Sequence, residues 1–422
     1  MEKKQRNTKK SKTILDNNSD KKIAEKIKKR ERLDSESKIQ CQSSKINTIN
    51  MLKKSTLENN DKALNNAFAK EYEDYPECSI SQKSIGLVKS FAYITYKGLV
   101  KHTNEDKVIV VSPVPKPQKS KIKTWPKLSF FGVFDGHGGE TCSEFLKDNF
   151  LNYLLDNKNF PLDIKLSLTE TFEKLEETII NKNKGKSGDE IDNSGSCALV
   201  CVITESKIFM ANLGDSRAIM SLNNGSKVKQ LTVDHKPNNV KEYERIIKNG
   251  GKVYIDDDYQ EDDQGKYDKD KLKYVLDKKD FEKYVGQKDI IFRHYPSDLA
   301  IMRSIGDIKS KLKEFGGLPG NIIAVPEVFV YDYSTGDDFI VMGCDGIFDD
   351  LSNEDVIKTA WYMINHKAKE RNYDINLLCK DSCNLIVKYG MDLESIDNLT
   401  CIVIGMDGLQ KYLNLKRMKE KK

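Results

Sequence analysis

Apolar and polar positions begin to alternate only after the first fifth of the chain. Residues 1 to about 80 are dominated by Lys, Asn, Ser, Asp and Glu and show no sustained period. Such a segment cannot bury enough apolar surface to offset its ordering entropy, so residues 1–80 are expected to form a basic tail. Within it, Lys21–Arg32 could form only a transient basic helix. From Ile85 the pattern changes. Ser90–Tyr96 has the β-branched and aromatic content of a strand, and Lys107–Val111 predicts a second. Val114–Trp125 is a loop of Pro and Lys. Leu128–Phe134 is a largely apolar run, as expected of a buried strand. Helical spacing marks Glu140–Tyr153 and Leu162–Ile180, with a polar loop at Asn181–Asn193. Strands follow at Ala198–Ile203, Lys207–Leu213 and Arg217–Ser221, then a helix at Val240–Lys248 stopped by Gly250-Gly251. Ile255–Asp289 is rich in acids and lysines without clear alternation and is expected to be an insertion or flexible flap. Phe339–Gly343 and Leu399–Ile404 are strands, and Ser352-Asn353-Glu354-Asp355 opens a helix in the manner of a capping box. Adjacent strand pairs separated by helices predict antiparallel sheets flanked by helices. One domain is expected over 81–410, followed by a short basic tail at 411–422.

Composition refines this picture. The chain has 422 residues, 38% hydrophobic and 32% charged, which suits a folded core diluted by solvated segments. Its net charge of +5 is unevenly spread: residues 1–50 hold 15 Lys+Arg against 7 Asp+Glu, leaving −3 for the rest. A basic arm on an acidic body is no signature of specific nucleic-acid binding. The nine cysteines form neither Cys-x-x-Cys nor zinc spacing and are expected to be reduced, small apolar residues. That points to a reducing compartment, cytoplasm or nucleus. Met1-Glu2-Lys3-Lys4 starts no signal peptide, and Glu2 occupies the place a myristoylated glycine would need. No run reaches the roughly 18 apolar residues of a transmembrane helix. Nothing in the sequence demands an obligate oligomer, and a monomer is expected.

The chemistry lies where strands end. Phe130–Phe134 runs into Asp135-Gly136-His137-Gly138-Gly139, and Phe339–Cys344 runs into Asp345-Gly346. Asp397-Asn398 immediately precedes the last strand, Asp215 follows Asn212-Leu213-Gly214, and Glu105-Asp106 precedes another strand. One Asp-Gly is foremost a turn. Several carboxylates at strand tips are different, because rigid elements can hold them together against their mutual repulsion. A cation must then neutralise them, and hard oxygen donors with few His or Cys favour Mg²⁺ or Mn²⁺ over zinc.

Together these blocks resemble the metal-dependent protein phosphatases, the type 2C serine/threonine family. The matching stretches include Asn104-Glu105-Asp106, Phe134–Gly139, Ser194-Gly195-Ser196, Gly214–Ala218 and Asp234-His235-Lys236-Pro237. Further on come Arg303-Ser304-Ile305-Gly306-Asp307, Pro326-Glu327-Val328, Cys344–Asp349 and Asp397–Thr400. They keep family order over roughly residues 85–407. The resemblance implies an α+β fold, two antiparallel sheets packed as a sandwich in four layers, α-β-β-α. It implies that Asp135 bridges two metal ions, that the Gly136 carbonyl binds one, and that Asp345 and Asp397 hold the other. Glu105 and Asp106 would hold metal-bound waters, Asp215 a looser third ion. His137 would protonate the leaving serine or threonine oxygen, and phosphoproteins would be the substrates.

Two positions depart from the family pattern. Lys101 stands where an arginine usually grips substrate phosphate, and lysine offers a point charge instead of a bidentate fork. Arg293 is a candidate substitute. Cys197 stands where threonine is common, and a thiol is a poorer partner for Mg²⁺. These departures keep open a binding or regulatory module that keeps the fold without turnover, while general carboxylate chemistry alone would also allow a two-metal nuclease or other phosphoryl hydrolase. The flap-like insertion is expected to influence substrate choice.

Overall fold

The computed structural model describes residues 57–72, 74–81, 83–255, 274–287, 290–370 and 372–420. Contacts divide the chain into two units, Met1–Asn66 and Ala67–Lys422. The Lys21–Arg32 segment lies outside the described residues. Helix Leu57–Ala69 and the two-residue strand Ser79–Ile80 fall inside the stretch expected to be a tail.

Two antiparallel sheets form the body of the larger unit. One runs, in spatial order, Ser79–Ile80, Ser90–Tyr96, Leu399–Gly405, Asp337–Gly343, Arg217–Leu222 and Lys227–Gln230. The other runs Glu327–Asp332, Lys207–Leu213, Ala198–Ile203, Ser129–Phe134 and Lys107–Val111. The Ser129–Phe134 strand shows why a continuous apolar run is needed. Phe131 and Val133 point to one face and pack with Leu199, Met210, Met220, Ile340, Met342 and Ile402 between the sheets. Phe130 and Phe134 point to the other and pack under helices Thr141–Asp156 and Ile164–Asn183 through Leu146, Phe150, Leu168 and Phe172. Side chains alternate along a strand, so a strand covered on both faces is apolar at every position. Each such side chain contributes about 1.5–3 kcal/mol on burial.

Helices Asn353–Lys367 and Ile375–Asp392 lie together, the second against strands Ser90–Tyr96 and Leu399–Gly405, completing the fourth layer. Their starts are fixed chemically: the Ser352 hydroxyl accepts from the Asp355 amide, and Asp374 accepts from the Asn376 and Leu377 amides. Residues 411–420, set apart in the sequence as a tail by their charge, continue the helix Asp407–Glu420, which buries Leu409 and Leu413.

The ends of the insertion are folded. Strands Lys252–Ile255, Tyr274–Val275 and Phe292–Tyr295 form a small antiparallel sheet, and helix Lys278–Tyr284 packs on it. Phe281 stacks on Tyr243 at 3.9 Å between ring centroids. The flexible-flap reading therefore does not hold for 274–287, where Leu276, Phe281 and Tyr284 supply an apolar core too sparse to show as a period. Residues 256–273 lie outside the described set.

Candidate active site

Strand pairing brings the carboxylates to one end of the sandwich. Lys107 pairs with Phe134, which places Asp106 and Asp135 at neighbouring tips. Gly343 pairs with both Cys401 and Arg217, which gathers Asp345, Asp397 and Asp215 at the same end of the other sheet. Their charges are felt mutually. Burial, then Asp345, Asp106, Asp215 and Asp397, raise the Asp135 carboxyl well above the usual range. Burial, Asp215 and Asp349 do the same to Asp345, against the opposing ammonium of Lys236. Burial pushes Asp106 up to about 6, although the Thr400 hydroxyl donates to it at 2.6 Å. Asp215 is also raised, chiefly by burial, with Lys236 at 3.6 Å opposing.

Close backbone approaches make this convergence possible. A Cβ on Gly136 would lie 2.5 Å from the Glu105 carbonyl oxygen, and one on Gly346 would lie 2.0 Å from that of Asn398. Glu105 accepts from the Gly139 amide at 2.7 Å through Oε1, and its own amide donates to Asn398 Oδ1 at 2.9 Å. Asp135, Cys197 and Asp215 each place a donor atom within 4.8 Å of the others. The Cys197 thiol donates to Asp215 Oδ1 at 3.2 Å.

The structure adds partners that the sequence left without a role. His137 Nε2 sits 2.9 Å from Asp307 Oδ2 and 3.0 Å from Oδ1. Burial alone would lower the imidazole pKa, but the charge and hydrogen bond of Asp307 outweigh it and the net shift is upward. Asp307 in turn is held below the usual carboxylate range: burial opposes, but His137, Lys311 and the Ser304 hydroxyl at 2.5 Å prevail. The three two-residue strands Gly136–His137, Gly195–Ser196 and Ile305–Gly306 align this pair. A Cβ on Gly195 would fall 2.2 Å from His137 Nε2 and 2.3 Å from Asp307 Oδ2, so only glycine leaves room. A buried Lys311–Glu176 ion pair at 2.6 Å backs the ladder, with Glu176 accepting from the Gly306 amide at 3.0 Å.

Lys101 lies beside the cluster, its ammonium 2.9 Å from Asp397 Oδ1. Burial lowers its pKa, yet hydrogen bonding and charge from Asp397, then Glu105 and Asp345, give a net rise. Arg293 is on the small sheet and donates to the Asp298 carbonyl at 2.8 Å.

The donor set fits hard divalent cations. It is oxygen-rich, assembled on rigid strands, and gathers carboxylates raised first by burial and then by one another's charge, a cost that a bound cation would offset. An α+β sandwich bearing such a cluster, with a charge-paired histidine beside it, is the build of a metal-dependent hydrolase. The family model "Protein phosphatase 2C" matches residues 98–398. A Paramecium tetraurelia relative named "Probable protein phosphatase 2C 4" is 30% identical over 298 residues, covering 67% of this chain and 83% of that one. Among solved structures, a serine-threonine phosphatase 2C from Toxoplasma gondii superimposes with TM-score 0.54 at 20% identity, over 78% of this chain and 99% of that one. A C. elegans sex determining protein gives TM-score 0.55 at 20% identity, over 82% and 68%. These likenesses share the sandwich with flanking helices. The chain belongs to the protein phosphatase 2C family and is a metal-dependent protein serine/threonine phosphatase.

Proposed function

We propose that the chain hydrolyses phosphoserine and phosphothreonine in proteins with two divalent cations, Mg²⁺ or Mn²⁺, and His137 as general acid. The observation that carries this is the convergence of Asp106, Asp215, Asp345 and Asp397 on Asp135, whose carboxyl is raised first by burial and then by the charge of each of them. Asp135 would bridge the two ions, with the Gly136 carbonyl on one and Asp345 and Asp397 on the other. Glu105 and Asp106 would orient water around them, and Asp215 would take a looser third ion. When bound, such cations supply Lewis acidity that neutralises phosphoryl charge and lowers the pKa of water.

The chain's own groups do the rest. Asp307 holds His137 Nε2 and favours the imidazolium, which leaves Nδ1 to present a proton to the departing serine or threonine oxygen. Gly195 keeps that pair in contact. Lys101, at the edge of the cluster, meets the substrate phosphate as a point charge. Eight cysteines are free and buried among the described residues, which supports a place in the cytoplasm or nucleus. We take the working form to be a monomer. Phosphate release from a phosphothreonine peptide by the full chain tests the reading. It should require Mn²⁺ or Mg²⁺ and stop with EDTA; release that ignores EDTA would overturn it.

A further inference from the structure

The mouth of the carboxylate cluster is bordered by apolar side chains that the described residues leave exposed. Leu99 and Val100 are 52% and 60% exposed, and Ile396 is 70% exposed. Scattered exposed leucines and valines are ordinary. These three are gathered by one amide. Asn398 Nδ2 donates to the Lys97 carbonyl at 2.8 Å and to the Thr103 carbonyl at 3.0 Å, closing residues 97–103 into a loop with Leu99 and Val100 between its ends. Gly98, at φ +80°, lies so close to the other loop that a Cβ there would be 2.3 Å from the Asp397 carbonyl oxygen. Lys101 then joins the loops a second time through Asp397. Ile396 precedes Asp397 directly, and Ser395 anchors the segment by donating to the Gly346 carbonyl at 2.9 Å. The exposed apolar side chains therefore adjoin the group proposed to meet substrate phosphate.

We propose that Leu99, Val100 and Ile396 form a specificity rim that selects phosphoserine or phosphothreonine flanked by a large apolar residue. This rests on the phosphatase reading above. A phosphate held at Lys101 carries the flanking residues across this rim, because in an extended peptide the side chains two positions away share the face of the phosphoresidue, about 7 Å along the chain. An apolar neighbour removes its own surface and that of the rim from water. An acidic neighbour would leave the rim wet and face Asp397 and Glu394, both on the Ile396 loop, and is disfavoured.

The test uses the full chain with Mn²⁺ and pairs of phosphothreonine peptides that differ only in the residues two positions to either side, leucine against aspartate. The expected kcat/KM ratio is about tenfold in favour of leucine, the lower end of what one apolar contact discriminates. In the triple variant Leu99→Ser, Val100→Ser, Ile396→Ser the ratio should fall toward one. Turnover of p-nitrophenyl phosphate, which has no flanking residues, should stay at the wild-type level. The single variant Val100→Lys should turn the preference toward aspartate and guards against a triple variant that folds poorly. An unchanged ratio in both variants would overturn the rim while the phosphatase reading stands. Absence of turnover of both the peptides and p-nitrophenyl phosphate by the wild-type protein would instead bring down the phosphatase reading, and the rim with it.

Discussion

At the scale of single residues, the site is a set of charges that destabilise one another until something neutralises them. Asp135 is the centre of that repulsion, and Asp345 is next. Asp135→Asn and Asp345→Asn remove a charged donor while keeping the shape. Each is expected to cut phosphate release on the order of a hundredfold or more with a native-like circular dichroism spectrum, and a variant that kept full activity would remove that residue from the metal set. His137 and Asp307 make a different forecast. A general acid matters most when the leaving group is a poor one, so its loss should be selective. Asp307→Asn removes the charge that favours the imidazolium. It should lower kcat on a phosphothreonine peptide about 10²-fold and leave p-nitrophenyl phosphate, whose leaving group needs little protonation, within a few fold. Equal losses on both substrates would show that Asp307 merely supports the fold.

At the scale of elements, several strands that place the carboxylates were legible: Ser90–Tyr96 alternates cleanly and Ala198–Ile203 is apolar and buried on both faces. Ser90–Tyr96, Lys107–Val111, Ala198–Ile203 and Lys207–Leu213 appear with the bounds expected from the sequence. The strand Glu327–Asp332 was not, since it is an edge strand with half-exposed positions and little periodicity to detect. Helix Ile375–Asp392 was obscured by polar residues at buried positions, among them Asp381 and Ser382, whose burial depends on neighbours distant in sequence. The His137–Asp307 contact was illegible for the same reason: 170 residues separate the partners, and only the three short strands bring them together. A faint signal existed in Ile305-Gly306-Asp307, where Gly306 at φ +82° and Asp307 at φ +52° make a turn that aims the carboxylate inward. That ladder carries its own prediction. Gly195→Ala should separate His137 from Asp307 and reproduce the leaving-group selectivity of Asp307→Asn, although neither side chain is altered. If Gly195→Ala hydrolysed both substrates like the wild type, the ladder would not be what holds the pair.

At the scale of the whole molecule, stability should depend on metal and on pH for separable reasons. Ions that bind only the folded carboxylate cluster stabilise it by mass action, about 2.7 kcal/mol at a hundred times Kd. Mn²⁺ should therefore raise the melting temperature by several degrees, and Asp135→Asn should abolish that rise. A loss of stability in acid comes from elsewhere, since carboxyls raised on folding act in the opposite direction. His294 has no solvent exposure, and burial lowers its pKa to about 4, with Arg245 pushing the same way and Leu299, Asp307 and Asp298 opposing. Its ring meets uncharged groups, the Ser297 hydroxyl at 2.9 Å and the Leu299 backbone. The unfolded chain would bind this proton near pH 6.5 and the folded one near 4, so between those values the unfolded state holds the extra proton. Stability contributed by neutral His294 is thus complete above about pH 6.5 and falls as pH drops toward 4, by about 3 kcal/mol at most. Glu242 acts further into acid. Burial raises its pKa, but Arg303 and Arg245 hold it below the ordinary value, so its share is lost only as pH falls through that depressed value. Urea titrations at pH 7 and pH 4.5 should show the difference in the wild-type protein and a smaller one in His294→Gln, which cannot take up the proton. An identical pH dependence in the two proteins would mean that the buried imidazole is not what makes the fold acid-sensitive.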